Sequence, residues 1–129
     1  MQLCDFLRTQ AARPFSWDGA HCLSLLGDWY LISTGHDPIP EFRGRSMTEA
    51  DCAAVLAEAG GLARFLARRC RVLGAVRVRE PAPGCIAVVR YQGRHFGALR
   101  TGTGRWAIKG HDGLIVTRAC RPVAAWEPR

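Results

Sequence analysis

The spacing of hydrophobic residues changes at Gly74, and this change limits the possible folds more than any other feature of the sequence. Before Gly74, apolar side chains recur at helical spacing in residues 3–12, about 20–33 and about 62–73. After Gly74, short apolar runs separated by Gly and Pro are typical of β-strands joined by turns. Helices followed by strands predict an α+β fold, with N-terminal helices packed on a small antiparallel β-sheet. A length of 129 residues predicts a single domain, residues 1–129.

Two overlapping patterns could begin one further helix, which we expect to end near Ala59. Ser46 and Glu49 have the spacing of a capping box, in which each side chain bonds the other residue's backbone N–H. Thr48 and Asp51 have the same spacing two residues later. The sequence leaves these two starts open.

The strands are predicted from the turn residues between them. Gln92-Gly93 is typical of a hairpin turn, and the glycines at 102, 104 and 113 indicate two further turns. The predicted strands are 76–78, 85–91, 94–99, 105–109, 114–117 and 124–126.

The chain is basic, with a net charge of +7. Of its 18 cationic side chains, all but Lys109 are arginines. This balance suits a nucleic acid or an acidic partner, and it equally suits a solvated surface. The arginines are scattered and not interleaved with aromatics, so we do not expect a nucleic-acid partner. No apolar run is long enough to span a bilayer, and the first residues lack the features of a signal peptide, so we expect neither a membrane span nor an export signal.

The six cysteines are spread along the chain without a CxxC pair or regular short spacing, at positions 4, 22, 52, 70, 85 and 120. An even number of cysteines can indicate disulfides. Because several fall where an apolar side chain is expected, we predict that most are reduced and buried. The spacing does not predict a zinc site, and we expect no metal and no cofactor.

Cys22 is the best candidate for a nucleophile because it follows the Asp18-Gly19 turn and begins an apolar helix. Backbone N–H groups at a helix start favour a thiolate, and they can also stabilise an oxyanion on an acyl carbon. The alternative is a small packed side chain.

Such a thiol needs an imidazole within hydrogen-bond reach. His21 is adjacent to Cys22, and neighbours on a helix point about 100° apart. His36 and His111 lie in predicted loops. His95 begins a strand and is the best partner, although a structural role is the alternative.

Three segments together resemble the NlpC-type cell-wall peptidases, a papain-like group. Residues 15–22 (FSWDGAHC) resemble the entry to that family's catalytic helix, and residues 83–91 (PGCIAVVRY) resemble its strand after a "P-G-D" turn. Residues 95–106 (HFGALRTGTGRW) resemble its "H-V-G-I-Y-x-G-x-G-x-F" hairpin, which begins with the catalytic His. The similarity spans about residues 15–117, and related small proteins are encoded beside tail genes of phages and gene transfer agents.

The resemblance implies a papain-like fold with Cys22 and His95 as catalytic residues. The family's third catalytic position, which is usually polar, corresponds to Ile108 in the simplest alignment, and His111 is the candidate to replace it. The segment before Cys22 supplies the candidate substrate-binding residues, which are Trp17, Asp18 and His21.

By the same resemblance, the function is a cysteine peptidase or amidase that hydrolyses peptide amides of peptidoglycan as part of a phage-like tail. The alternative is an NlpC-like structural component of a tail tip or baseplate with weak or no activity. Both imply other tail tip or baseplate proteins as partners. Both imply a location in the virion tail tip, or in the bacterial cytoplasm before assembly.

Overall fold

The structure, a computed structural model, describes residues 1–43 and 46–129, except for the side chain of Thr103. Within these residues the chain forms four α-helices and then one six-stranded antiparallel sheet, which confirms the α+β class. The helices are α1 (Leu3–Ala12), α2 (Cys22–Thr34), α3 (Glu49–Glu58) and α4 (Leu62–Leu73). The strands are β1 (Val76–Val78), β2 (Ile86–Tyr91), β3 (Arg94–Arg100), β4 (Trp106–Gly110), β5 (Gly113–Thr117) and β6 (Arg121–Glu127). No helix in this described part is both long and apolar enough to cross a bilayer.

The start of α3 distinguishes the two capping patterns. The Thr48 hydroxyl accepts a hydrogen bond from the backbone N–H of Asp51, and the Asp51 carboxylate accepts one from the N–H of Thr48 at 2.9 Å. The capping box therefore lies at Thr48, and the alternative start at Ser46 is wrong. Within α3, Cys52 is buried, and its thiol contacts the carbonyl oxygen of Trp17.

The sheet is strongly curled. Its strand order is β1-β6-β2-β3-β4-β5, so three strands separate β5 from β6, although only residues 118–120 connect them. Four inter-strand spacings in a flat sheet would be about 19 Å. The four residue steps from Thr117 to Arg121 reach only about 14 Å. The sheet must therefore bend to bring β5 and β6 together.

Each face of the sheet contributes to a separate hydrophobic core. One face packs against α1, α2 and α4 through residues such as Val88, Leu99 and Ala107. Six residues of the other face form a second buried cluster, which the curl of the sheet encloses: Ala87, Val89, Ala98, Trp106, Ile108 and Ala125.

The cysteines divide by burial. Cys52, Cys70 and Cys85 are buried, as expected of small core side chains, whereas Cys4 is exposed and Cys22 is partly exposed. All six cysteines, with Cys120 also partly exposed, are free thiols.

Candidate functional site

Cys22 is the first residue of α2, directly after the helix N-cap. The N-cap is His21, whose Nδ1 accepts a hydrogen bond from the backbone N–H of Ser24 at 3.3 Å. The Ser24 hydroxyl accepts the N–H of His21 at 2.7 Å, which completes a capping box. These two bonds fix the first turn of α2 and therefore the direction of the Cys22 side chain.

Strand β3 approaches this first turn very closely at Gly97. A Cβ atom at Gly97 would lie 2.6 Å from Leu26 Cδ2 and 3.1 Å from the carbonyl oxygen of Cys22. Only a residue without a side chain allows the strand and the helix to come this close. Gly97 thus sets the distance between the Cys22 end of α2 and β3.

The Cys22 thiol is subject to two opposing effects. Burial raises the pKa of the Cys22 thiol, while backbone N–H groups of Gly97, Leu23 and Cys22 itself lower it. Burial is the larger effect, so the pKa is raised overall. In this arrangement the thiol is protonated at neutral pH, although donors that would stabilise a thiolate surround it.

His95 lies on the same side of β3 as Gly97, because alternate residues of a strand share a face. Its side chain is exposed. Among the described residues, which include both partners, no hydrogen bond joins the His95 ring to the Cys22 thiol. The structure therefore packs the Cys22 end of α2 against the face of β3 that carries His95, without a hydrogen bond between the two side chains.

Ile108, which aligns with the third catalytic position, lies on the face of β4 that points away from α2. Ile108 is 1% exposed and packs with Ala98 and Trp106 inside the curl of the sheet, away from α2. The helix-facing side of β4 carries Ala107 and Lys109 instead. Lys109 is therefore the polar residue on the helix-facing side of β4.

Lys109 is a buried cation, with 1% of its surface exposed. Its Nζ donates hydrogen bonds to the backbone oxygens of Gln10 and Arg13, at the end of α1. Burial lowers the pKa of Lys109, and the nearby Arg13 lowers it further. Because its ammonium group is bonded to α1, Lys109 does not orient the His95 imidazole.

His111 lies in the turn after β4, and its exposed ring packs on aromatic side chains. The ring centroid is 4.3 Å from that of Phe15 and 5.7 Å from that of Trp17. The ring of Trp17 also lies 6.3 Å from that of His21. His111 and two candidate substrate-binding residues, Trp17 and His21, therefore share one aromatic cluster. The His95 ring is not part of it.

The predicted substrate-binding residues Asp18 and His21 have structural contacts. Asp18 is exposed, and its carboxylate accepts a hydrogen bond from the N–H of Met47 at 3.3 Å. His21 is 3% exposed, and within the described part of the chain its Nε2 has no hydrogen-bond partner. Burial lowers the pKa of His21, an effect opposed by Asp28 and reinforced by Arg43, so its imidazole is neutral.

The roles of Gly97 and Lys109 were not predicted from the sequence. A signal was present for both, since Gly97 lies in the hairpin pattern and Lys109 is the one lysine of the sequence, within an apolar strand. In the described ranges 1–43 and 46–129, no three His, Cys, Asp or Glu residues are grouped so as to hold a metal ion.

Comparisons with known proteins identify a family without indicating an activity. Searches of curated proteins and of solved structures gave no match. A family model described as "Domain of unknown function (DUF6950)" matches residues 1–127. Because the match covers nearly the whole chain, this protein belongs to the DUF6950 family.

Proposed function

We propose that the chain is a papain-like, NlpC-type cysteine hydrolase that cuts peptide amides of peptidoglycan as part of a phage-like tail. The observation that carries the proposal is the packing of the Cys22 end of α2 against β3 at Gly97, two residues from His95. A helix-start cysteine beside a strand that carries a histidine is the arrangement this chemistry requires.

The N–H groups around Cys22 support the role of nucleophile. Those of Cys22, Leu23 and Gly97 all lie near the sulfur and favour its anionic form. The N–H groups of Cys22 and Leu23 belong to the first turn of α2, so they are also suited to stabilise an oxyanion on an attacked carbonyl carbon.

The reaction requires His95 to turn toward the thiol. Residues two apart on a strand are separated by about 6.6 Å, and a histidine ring spans much of this distance. In that rotamer His95 takes the thiol proton, and the sulfur attacks the amide carbon to form a thioester. His95 then gives the proton to the leaving amine. Water, deprotonated by His95, hydrolyses the thioester and restores the thiol.

The second candidate function is a structural component of a tail tip or baseplate with the same fold. Two features favour it: burial raises the pKa of Cys22, and Lys109, the polar residue on the helix-facing side of β4, bonds the end of α1 and so does not orient His95. An imidazole without an orienting partner is a weaker base in such a site.

The rate of alkylation by iodoacetamide distinguishes the two candidates, because only the thiolate reacts. Without activation, the buried thiol of Cys22 should react more slowly than the exposed Cys4. If His95 activates it, Cys22 should react faster than Cys4, and this faster reaction at neutral pH is what we expect of the enzyme. Burial raises the pKa of Cys70 to about 12, so Cys70 serves as the unreactive reference.

Histidine variants identify the base. His95→Ala should slow the alkylation of Cys22 and leave Cys4 unchanged, while His36→Ala, at another exposed histidine, should change neither rate. Digestion of peptidoglycan, followed by mass spectrometry, should then show products that Cys22→Ser abolishes. Alkylation of Cys22 that is slower than that of Cys4 and insensitive to His95→Ala would reject the enzyme in favour of the structural component.

A further inference from the structure

A cleft of about 460 Å³ lies at one end of the sheet, beside the turn between β2 and β3. Its lining residues are Arg90, Gln92, Gly93, Arg118, Ala119, Cys120 and Arg121, so it contains three arginines and no acidic side chain. The connection between β5 and β6, which the curl of the sheet brings across this end, supplies Arg118 and the residues next to it.

Arg90 and Arg121 are direct cross-strand neighbours on β2 and β6. Like charges placed opposite each other on adjacent strands destabilise a sheet. Among the ion pairs formed by the described residues, none includes Arg90 or Arg121. The register therefore places two arginines opposite each other, and no ion pair of the described residues supplies either of them with a carboxylate.

The same row continues onto β3, where His95 is the cross-strand partner of Arg90. Three nitrogen-rich side chains thus stand side by side on adjacent strands. A guanidinium group binds carboxylates and phosphates through two parallel hydrogen bonds, and two such groups suit a ligand with more than one negative charge.

We propose that Arg90 and Arg121, with Arg118 at the rim, form a binding site for a multiply charged oxyanion, such as a phosphate ester or a polycarboxylate. This site does not depend on the hydrolase proposed above, because it uses neither the Cys22 thiol nor its N–H groups. The bound anion removes the repulsion between the two guanidinium groups.

The test is a titration of the full chain with pyrophosphate by isothermal calorimetry at about 0.1 M ionic strength, where charges more than about 10 Å away are largely screened. The double variant Arg90→Gln/Arg121→Gln should raise the dissociation constant by about tenfold or more, because it removes charge-assisted hydrogen bonds. The matched control is Arg71→Gln/Arg79→Gln, which lowers the net charge equally at two exposed arginines away from the cleft. We expect this control to bind within about twofold of the natural chain, as long-range charge is screened.

A parallel titration with citrate distinguishes a carboxylate ligand from a phosphate ligand, and tighter binding of either one, lost in the double variant, supports the site. Absence of binding by the natural chain overturns the proposal, and so does an equal loss of affinity in the control. Thermal unfolding without anion verifies the variants, because removal of like charges should leave the melting temperature of the double variant equal or higher. The single variant Arg121→Gln provides the same comparison if the double variant does not fold.

Discussion

The close approach of β3 to α2 makes Gly97→Ala a sharp test of the packing that positions Cys22. The added Cβ would lie 2.6 Å from Leu26 Cδ2, about 1 Å inside the normal separation of two carbon atoms. Leu26 is fully buried, so its close-packed neighbours limit how far its side chain can move. The carbonyl oxygen of Cys22, at 3.1 Å, restricts the same Cβ from the helix backbone.

The size of the effect follows from two opposing contributions. An extra methyl group in a well-packed core costs about 1–3 kcal/mol. Alanine also restricts the unfolded chain, which returns about 0.5 kcal/mol. We therefore expect a loss of about 0.5–2.5 kcal/mol in the free energy of unfolding. At about 2.1 cal/mol/K of unfolding entropy per residue, a chain of 129 residues should melt about 2–9 °C lower.

Thermal and denaturant unfolding measure this loss against a control within the same sheet. Gly110→Ala is matched to it, because a Cβ at Gly110 has no atom within 4 Å and neither glycine has a positive φ. We expect Gly110→Ala to leave the stability unchanged or slightly raised. Leu26→Val shortens the clashing side chain. The double variant Gly97→Ala/Leu26→Val should therefore lose less unfolding free energy than the sum of the losses of the two single variants. Equal stabilities of Gly97→Ala and Gly110→Ala, or strict additivity with Leu26→Val, would refute the packing argument.

Three further predictions concern the helix ends. Folding lowers the pKa of His21 below 6.5, so the stability that its neutral ring contributes is complete above pH 6.5 and is lost as the pH falls through the folded-state pKa. Urea unfolding between about pH 7.5 and 5 should show this loss of unfolding free energy. The variant His21→Asn, which retains an N-cap acceptor, should show a smaller loss. Thr48→Ala should lower the unfolding free energy by about 1 kcal/mol in chemical denaturation, whereas Ser46→Ala should have almost no effect. Lys109→Met should cost about 1–3 kcal/mol, because it leaves carbonyl groups at the end of α1 without their donor, and hydrogen exchange should then be faster in α1 than in α4.

The helix and strand boundaries were largely predictable because local residue patterns determine them. Gly35 and Gly74 end α2 and α4 in the left-handed conformation, and the Gln92-Gly93 turn has positive φ at both residues. The choice between Ser46 and Thr48 was not predictable, because both have the same capping spacing. In the structure the backbone N–H of Met47 bonds the carboxylate of Asp18, 29 residues away, and this tertiary contact lies between the two possible starts.

The candidate site was predictable as a pair of chain segments but not as a geometry. Sequence similarity aligned Ile108 with the third catalytic position. Adjacent residues of a strand point to opposite faces of the sheet, so a difference of one residue in the alignment changes the face. In the structure Lys109, and not Ile108, is on the face toward α2. Likewise, the sequence indicates a helix start at Cys22 but not the burial that raises the pKa of its thiol, since this burial arises from the contact with β3.

The hydrogen bond from Lys109 to Gln10 also has a consequence for the order of folding. The two residues are 99 positions apart, so α1 gains this contact only after most of the chain has formed β4 and the strands around it. Closing a loop of this length carries a large entropy cost, and long-range contacts of this kind form late. We therefore expect α1 to complete its docking late in folding, although it precedes the other described helices in the chain.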